Sequence, residues 1–275
     1  MERDTVVYDA HAIYQRGKQN DRIYIIKLLN PDAESTIKRL ETLAAQNGYG
    51  KIIGKIPAEA VRIFENRGYI SEAVIPKFYN GKSDCCFMAK YLFEERKLVV
   101  NRGAISAVLD MAASKKIAAF DSGPFTVSRL TEAHCREIAK IYNDIFESYP
   151  FPIDDPDYIQ KTMTEHIVYY GAFSNGKLVA CGSAETDLEI QSAEMTDFAV
   201  LPEWRGQNAA LLILKSMEKE MKRSGFKTLY TIARSISYGM NCTFGANGYR
   251  FAGTLYNNTQ ISGAIESMNV WYKRV

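Results

Sequence analysis

The sequence predicts a mixed α/β fold that is divided into two regions. Short apolar segments bounded by glycine, proline and asparagine alternate with longer segments whose apolar residues recur at helical spacing. At 275 residues the chain is longer than a typical single domain. Turn-forming residues around Gly123 separate the regions. We therefore expect a smaller N-terminal domain over residues 1–120 and a second domain over residues 124–275.

The composition is that of an ordinary globular protein, with 47% hydrophobic and 24% charged residues. The 34 basic and 32 acidic residues nearly balance, which argues against a dedicated nucleic-acid partner. The five cysteines form no Cys-x-x-Cys pair, and the three histidines are far apart in sequence. We therefore expect reduced thiols and no metal site.

Apolar segments are too short to cross a bilayer. Residues 105–120 form the longest one near the middle, and Asp110, Lys115 and Lys116 interrupt it. The first residues lack the basic-then-apolar layout of a signal peptide. These observations predict no membrane partner and a cytoplasmic location.

The C-terminal region reads as strands that alternate with helices. Pro150 and Pro152 end the first helix, and the Asn175-Gly176 pair predicts a hairpin. The predicted strands are residues 125–129, 167–173, 177–184, 192–201, 228–233, 249–256 and 265–272. The predicted helices begin at Thr131, cover residues 155–164, run from Ala210 to before Gly225, and cover residues 237–246.

The N-terminal region resembles a partial copy of this pattern. Its predicted strands are residues 22–28, 51–56, 70–77 and 85–91, and its predicted helices are residues 32–46 and 59–66. A further helix is predicted over residues 106–116, between the regions. The same order recurs in residues 211–272, and residues 66–69 (Asn-Arg-Gly-Tyr) align with residues 247–249 (Asn-Gly-Tyr). The pattern indicates an internal duplication, unless any α/β sequence with glycine stops would look alike.

A strand that leads through a basic, small-residue turn into a helix is typical of an anion site. The free N–H groups of the first helical turn and the helix dipole favour negative charge there. Gly206, Ala209 and Ala210 are small, Arg205 adds positive charge, and Asn208 tolerates left-handed backbone angles. The segment is either a phosphate-binding loop or merely a tight turn.

Residues 205–210 (Arg-Gly-Gln-Asn-Ala-Ala) resemble the acetyl-CoA loop of the GNAT family of N-acetyltransferases, whose pattern is Arg/Gln-x-x-Gly-x-Gly/Ala. Asn208 departs from the pattern, because glycine is usual there. Residues 195–200 match the strand that pairs with the pantetheine arm, and residues 241–249 match a second family segment. The resemblance implies a GNAT fold over residues 125–275, a degenerate GNAT-like N-terminal half, and acetyl-CoA as co-substrate without a metal. The implied cofactor contacts are Phe198, Ala199, Val200, Arg205, Gly206, Gln207, Asn208, Ala209, Ala210, Asn241 and Phe244.

The whole chain is similar to one member group, the β-lysine N6-acetyltransferases. Residues 149–152 (Tyr-Pro-Phe-Pro), residues 237–241 (Ser-Tyr-Gly-Met-Asn) and the extra N-terminal half carry this likeness. It implies acetylation of the side-chain amine of β-lysine by direct attack in a ternary complex, giving a compatible solute for osmoadaptation. Alternatives are acetylation of polyamines or protein lysines, or a CoA-binding sensor without catalysis.

The chemistry requires a neutral amine, and a lysine-like ammonium has a pKa of about 10.4. Deprotonation at pH 7 costs about 4–5 kcal/mol, so a base or a water relay is needed. Strand alternation places Glu194, Thr196 and Phe198 on one face, with Asp197 on the other unless a bulge intervenes. The family's usual glutamate is absent at Thr196. Glu194 is the first candidate for base or water-holder. Asp197 and Glu185 are substitutes, and either of them could instead bind the substrate's ammonium.

The leaving thiol needs a proton worth only about 2 kcal/mol at pH 7. The family's usual tyrosine donor is replaced by Phe244, so Tyr238 or water is the candidate donor. Phe244 would then pack against the cofactor or simply belong to the core. Asn241 is expected to bond the cofactor's amide groups, or to be a helix-surface or capping residue.

The residues after the first helix lie where the family covers its acceptor. Tyr149, Phe151 and Asp154 there, together with Glu185, are candidate substrate contacts for a diamine, and Asp155 and Asp157 add charge. The acidic residues could equally mark a solvated helix start.

The N-terminal half lacks an Arg-x-x-Gly loop, because residues 30–34 are acidic there. We predict that this half binds no CoA and either packs on the catalytic half or pairs two chains as a homodimer.

Overall fold

The computed structural model describes residues 3–30, 32–115 and 123–275. Lys116, where the linking helix was predicted to end, and residues 121 and 122 of the predicted turn lie outside this set. The described strands form one sheet of thirteen strands that runs through both halves of the chain. The sheet is mixed, because two of its strand pairs are parallel and the others are antiparallel.

The N-terminal half contributes six strands and two helices, and a third helix follows. In chain order these are β1 (Thr5–Tyr8), β2 (Ala12–Gly17), β3 (Arg22–Leu28), α1 (Ala33–Asn47), β4 (Lys51–Pro57), α2 (Ala58–Asn66), β5 (Ile70–Tyr79), β6 (Ser83–Tyr91) and α3 (Arg102–Ser114).

The C-terminal half contributes the remaining seven strands. Its elements are β7 (Thr126–Arg129), α4 (Cys135–Ile145), α5 (Pro156–Glu165), β8 (Ile167–Ser174), β9 (Lys177–Asp187), β10 (Ser192–Val200), α6 (Ala209–Arg223), β11 (Thr228–Arg234), α7 (Tyr238–Ala246), β12 (Arg250–Ile261) and β13 (Ala264–Arg274). Single 3₁₀ turns cover Glu94–Lys97, Glu132–His134 and Pro202–Trp204.

The predicted mixed α/β fold and every predicted element are confirmed, with shifts at the ends. Two strands, β1 and β2, were missed because they are short and β1 lies at the exposed edge of the sheet, where no buried face imposes an apolar pattern. Strand β12 runs five residues past its predicted end at Tyr256. A register shift between Leu255 and Thr259, with Asn257 at φ 44°, lets the strand continue through a polar stretch.

The strand order repeats in the two halves, which is the arrangement that the predicted duplication would give. In the N-terminal half the neighbours run β2, β3, β4, β6, β5, and in the C-terminal half they run β9, β10, β11, β13, β12. The parallel pair of β3 and β4 is connected by α1, just as the parallel pair of β10 and β11 is connected by α6. A closing antiparallel strand, β6 or β13, lies next to each parallel pair.

A local motif also occurs in both halves, at the aligned Gly-Tyr segments. Tyr69 packs edge-on against Phe64 with ring centroids 5.0 Å apart. Lys90 lies 5.6 Å from the centroid of the Tyr69 ring and bonds Glu41 on α1 at 2.8 Å.

In the second copy Tyr249 packs on Phe244 at 5.0 Å, and Lys273 lies 5.6 Å from the centroid of the Tyr249 ring. Lys273 also bonds Glu218 on α6 at 2.9 Å. In each half, therefore, a lysine on the last strand contacts a tyrosine ring and a glutamate of the helix that connects the parallel strands.

The two halves are joined where β5 pairs with β12, at Ala73 and Gly253. Gly253 has φ 148°, and a Cβ there would lie 2.1 Å from the backbone oxygen of Glu72, so only glycine allows this approach. Beside the joint, Lys51 donates to Glu72 at 2.7 Å, with both side chains almost fully buried.

A shared core continues this interface. Residues of both halves form one buried apolar cluster, among them Ile53, Phe87, Tyr230, Leu255 and Val270. The N-terminal half therefore packs on the C-terminal half, as one of the two expected roles requires. The domain boundary near Gly123 stays a prediction.

Candidate active site

A bulge in β10 shapes the centre of the C-terminal half. The pairing of β10 with β9 shifts between Thr196 and Ala199, and Asp197 adopts φ 55°. The extra residue turns Asp197 towards the face that carries Glu194, while Phe198 points to the other face, against α6 and α7. The predicted alternation of Glu194, Thr196 and Phe198 on one face is therefore wrong at Phe198, because the bulge intervenes.

Strands β10 and β11 are bonded only at their beginnings. Their register pairs residues 192–194 with residues 228–230, although β10 continues to Val200 and β11 to Arg234. Beyond Glu194, the edge of β10 that faces β11 has no bonded strand among those described. This divergence leaves backbone groups of Phe198, Ala199 and Val200 near an opening in the sheet, where an extended ligand can pair with them.

The loop between β10 and α6 keeps its polar groups available. Gly206 has φ 77°, and Asn208, the N-cap of α6, has φ 66° with no side-chain cap. The left-handed conformation expected of Asn208 is therefore observed. Arg205 is exposed and donates from Nε to the Val200 carbonyl at 3.2 Å, while Gln207 donates to the Glu203 carbonyl at 3.2 Å. An uncapped helix start beside an exposed guanidinium can hold a phosphate group.

The two alanines that follow, at the start of α6, are at least partly buried. Ala209 is buried against the core and Ala210 is half-buried. Their small side chains let the start of α6 approach a ligand closely. The loop thus fits the diphosphate and the arm of a CoA molecule on its own geometry.

The equivalent position in the N-terminal half is already occupied by a carboxylate. Asp32 caps α1, accepting the Ser35 backbone N–H at 3.1 Å, and Glu34 lies in the first turn. These acidic groups repel a phosphate.

Glu194 lies at the point where β10 and β11 separate. It pairs in register with Glu185 on β9 and with Tyr230 on β11, and the Tyr230 hydroxyl hydrogen-bonds to its carboxylate. Burial, followed by repulsion from Glu185, raises the pKa of Glu194 to about 8, while Lys55 and Tyr230 oppose the rise. A carboxyl group with this pKa can exchange a proton near neutral pH.

Asp197 is held by three hydroxyl groups. Ser183 donates to it at 2.6 Å, Tyr149 at 2.5 Å, and Thr196 at 3.3 Å. Burial raises the pKa of Asp197, although these hydrogen bonds favour the ionised form. The structure therefore brings the predicted Tyr149 and Asp197 into direct contact.

The other predicted acceptor contacts are placed differently. Phe151 packs in the apolar cluster beneath α4 and α5. Asp154 is exposed and forms an ion pair with Arg3 at 2.8 Å, so its charge is already paired at the surface. Glu185 is exposed, with His166 Nε2 3.8 Å from its carboxylate.

On α7, Asn241 has a structural role instead of the expected bond to the cofactor. Its Nδ2 donates to the carbonyls of Arg234 and Ser237, and its Oδ1 accepts from Asn269 and Trp271. The buried side chain has no donor or acceptor left for a cofactor amide.

The remaining predicted residues of α7 differ in exposure. Phe244 is buried and packs on Phe198 with ring centroids 5.8 Å apart, so it belongs to the core, and its contact with the cofactor stays a prediction. Tyr238 begins α7 and is 49% exposed, so its hydroxyl is open to solvent.

Four site residues were missed in the sequence. Ser183 and Tyr230 face the predicted carboxylates from neighbouring strands, and aligning the predicted strands in register would have found them. Tyr24 and Lys55 come from the N-terminal half, on β3 and β4. No local pattern marks them, because only the packing of the halves brings them to the site.

Comparison with known proteins agrees with this geometry. Residues 136–237 match the family described as acetyltransferase (GNAT). A β-lysine N6-acetyltransferase of Methanococcus maripaludis is 39% identical over 95% of this chain and 96% of its own length. The N-acetyltransferase YodP of Bacillus subtilis is 31% identical over 96% of each chain. A β-lysine N6-acetyltransferase of Methanosarcina mazei is 30% identical over 84% of this chain and 94% of its own.

Among solved structures, an N-acetyltransferase from Staphylococcus aureus Mu50 covers 55% of this chain and 98% of its own, at 17% identity and a TM-score of 0.49. The full-length relatives decide the assignment: the chain is an N-acetyltransferase that belongs to the GNAT family. None of its described helices is long and apolar enough to span a membrane.

Proposed function

We propose that the chain transfers the acetyl group of acetyl-CoA to the side-chain amine of β-lysine, giving N6-acetyl-β-lysine for use as a compatible solute. Two of the relatives carry the name β-lysine N6-acetyltransferase, and they align with 95% and 84% of this chain. The observation that carries the proposal is the half-buried carboxyl of Glu194 at the opening between β10 and β11, with Glu185 and Asp197 nearby. Such a site attracts a cationic amine.

The loop before α6 supports acetyl-CoA as the co-substrate. Arg205 and the backbone N–H groups of residues 206–210 would hold the diphosphate, and the free edge of β10 at residues 198–200 would pair with the pantetheine arm. Bound there, acetyl-CoA supplies a thioester that an amine can attack directly.

Glu194 serves as the base in this proposal. A lysine-like ammonium with a pKa of about 10.4 loses a proton more readily to a carboxylate whose pKa is near 8 than to an ordinary one. Tyr230 fixes the carboxylate through its hydroxyl. The proton passes to Glu194 directly or through one water molecule, and the neutral amine becomes the nucleophile.

Asp197 and Glu185 hold the acceptor rather than its proton. Asp197 is oriented by Ser183 and Tyr149, and its position on the Glu194 face lets it bind a second ammonium group, such as the 3-amino group of β-lysine. The leaving thiolate takes its proton from Tyr238, which is half exposed at the start of α7, or from water.

The proposal is tested by incubating the purified chain with acetyl-CoA and one amine at a time, following thiol release and identifying the product by mass. We expect release with β-lysine well above that with lysine, spermidine or a lysine-containing peptide, and an acetyl group on N6. Reactions without an acceptor give the background. Thiol release with spermidine or the peptide but not with β-lysine would show that the substrate is a polyamine or a protein lysine. Binding of acetyl-CoA without thiol release for any amine would indicate a CoA-binding sensor.

A further inference from the structure

Lys55 of the N-terminal half reaches into the acceptor site of the catalytic half. Its Nζ lies 3.3 Å from the hydroxyl of Tyr230 and 5.7 Å from the centroid of that ring. Tyr230 in turn hydrogen-bonds to Glu194. Only the side chain of Tyr230 therefore separates the Lys55 ammonium from the proposed base, Glu194. A site that binds only a diamine would be expected to contain negative charge alone.

No described carboxylate lies close enough to the Lys55 ammonium to form a direct ion pair with it. Among the residues that the structure describes, Lys55 has no ion pair, and its described hydrogen bond uses one of the three ammonium donors. Burial alone would lower the pKa of Lys55, but the nearby carboxylates of Glu194 and Glu185 raise it above the ordinary value. The ammonium thus stays charged, with donors to spare.

Tyr24 provides a second unused donor beside it. In the parallel pair of β3 and β4, Tyr24 lies opposite Ile53, so Lys55 is two residues further along on the same face. The Tyr24 hydroxyl is buried and has no hydrogen-bond partner within residues 3–30, 32–115 and 123–275. Burial raises its pKa to about 12, which keeps its proton in place for donation. A buried hydroxyl without a partner is costly, so a ligand that accepts from it would be favoured.

We propose that Lys55 and Tyr24 bind the carboxylate of an amino-acid acceptor, while its distal amine is held at Glu194. This inference rests on the proposed function and adds to it the residues that bind the carboxylate of the acceptor. The two ends of the site have opposite charge: donors come from the N-terminal half and carboxylates from the catalytic half. An acceptor with an amine at one end and a carboxylate at the other matches both, whereas a polyamine would place an ammonium against Lys55.

Two acceptors that differ only in this group test the inference. β-Lysine and its primary amide share the amines and the carbon chain, but the amide has no negative charge. We expect the wild-type enzyme to prefer β-lysine in kcat/KM. At a pH where Glu194 is ionised in both enzymes, the variant Lys55→Met should lose about 30-fold or more with β-lysine, mainly through KM, and less than about three-fold with the amide. Lys55→Arg should keep most of the preference, and Tyr24→Phe should lose part of it.

The control is Lys27→Met, which removes a cation from β3 that is paired with Glu189 at the same interface; its preference should match that of the wild type. Binding of CoA by each variant, measured by calorimetry, shows that the catalytic half is folded. Equal losses with both acceptors for Lys55→Met, or a wild type that does not distinguish them, would overturn the carboxylate site while leaving the proposed function intact. A wild type that acetylates neither acceptor would overturn both.

Discussion

Glu194 and Tyr230 face each other at the last bonded pair of β10 and β11. The two strands diverge beyond this pair, so the carboxyl group and the hydroxyl stand at the base of the opening. The carboxyl group of Glu194 is thereby shielded from water, and its hydrogen bond with Tyr230 fixes its orientation.

Replacing Glu194 by glutamine should lower kcat/KM for the amine by about 10²–10⁴-fold, because the variant cannot accept a proton. The affinity for CoA should change little, since the CoA loop lies on other residues. Initial rates and calorimetry measure the two effects. The matched control is Glu189→Gln, an exposed carboxylate of the same half. Near-wild-type rates for Glu194→Gln would assign the proton transfer to another group.

The raised pKa of Glu194 predicts a rate that increases with pH. Below a pKa of about 8 the carboxyl is protonated and cannot act as a base, so kcat/KM should rise through that value and then level off. Tyr230→Phe removes a hydrogen bond that favours the ionised carboxylate, so the midpoint should move up by about one pH unit. Rate profiles from pH 6 to about 10 test this. A midpoint that moves down, or stays fixed, would show that Tyr230 does not act on the base.

Each chain should bind one equivalent of CoA. The start of α6 is uncapped and lies beside Arg205, whereas the start of α1 is capped by Asp32. Arg205→Ala should weaken CoA binding by about ten-fold, because a charge-assisted contact to phosphate is lost. Lys219→Ala, a surface cation further along α6, is the control for charge alone. Calorimetry gives both stoichiometry and affinity. A second equivalent of CoA per chain would contradict the prediction that the N-terminal half binds no CoA.

The buried pair at the joint should control stability. Lys51→Met leaves the Glu72 carboxylate buried without its partner, so unfolding free energy should fall by about 3–5 kcal/mol. The double variant with Glu72→Gln should lose less than the sum of the single changes. The exposed pair of Lys27 and Glu189 also joins the halves, and Lys27→Met should cost no more than about 1 kcal/mol. Denaturant titration compares them; equal costs for the two lysine variants would remove the special role of the buried pair.

The sequence predicted much of the fold because local signals were strong. Glycine stops and the Asn175-Gly176 turn lie where the structure has helix ends and a hairpin. The likeness of residues 205–210 to a CoA loop was recognisable because these residues are contiguous. The acceptor site was harder, since a bulge of one residue at Asp197 changes which side chains share a face.

Other parts of the site had no local signal. Lys55 and Tyr230 are 175 positions apart in the sequence and meet only because the halves pack together. Asn241 was expected to bond the cofactor, but its Oδ1 accepts from Asn269 and Trp271 on β13, a strand that no local pattern connects to α7.

The joint between β5 and β12 has the geometry of a two-fold axis inside one chain. Counting from the aligned tyrosines, Tyr69 and Tyr249, Ala73 and Gly253 stand at the same position, and they pair with each other. The register shifts on either side also fall at matching places in the two strands. Residues that meet their own equivalents are typical of a symmetric dimer. In a dimer of identical chains, every substitution appears on both sides of the axis. In a fused chain the two sides can change independently. The N-terminal half can therefore lack a CoA loop and present Tyr24 and Lys55 to the C-terminal half. Two identical subunits could not differ from each other in this way.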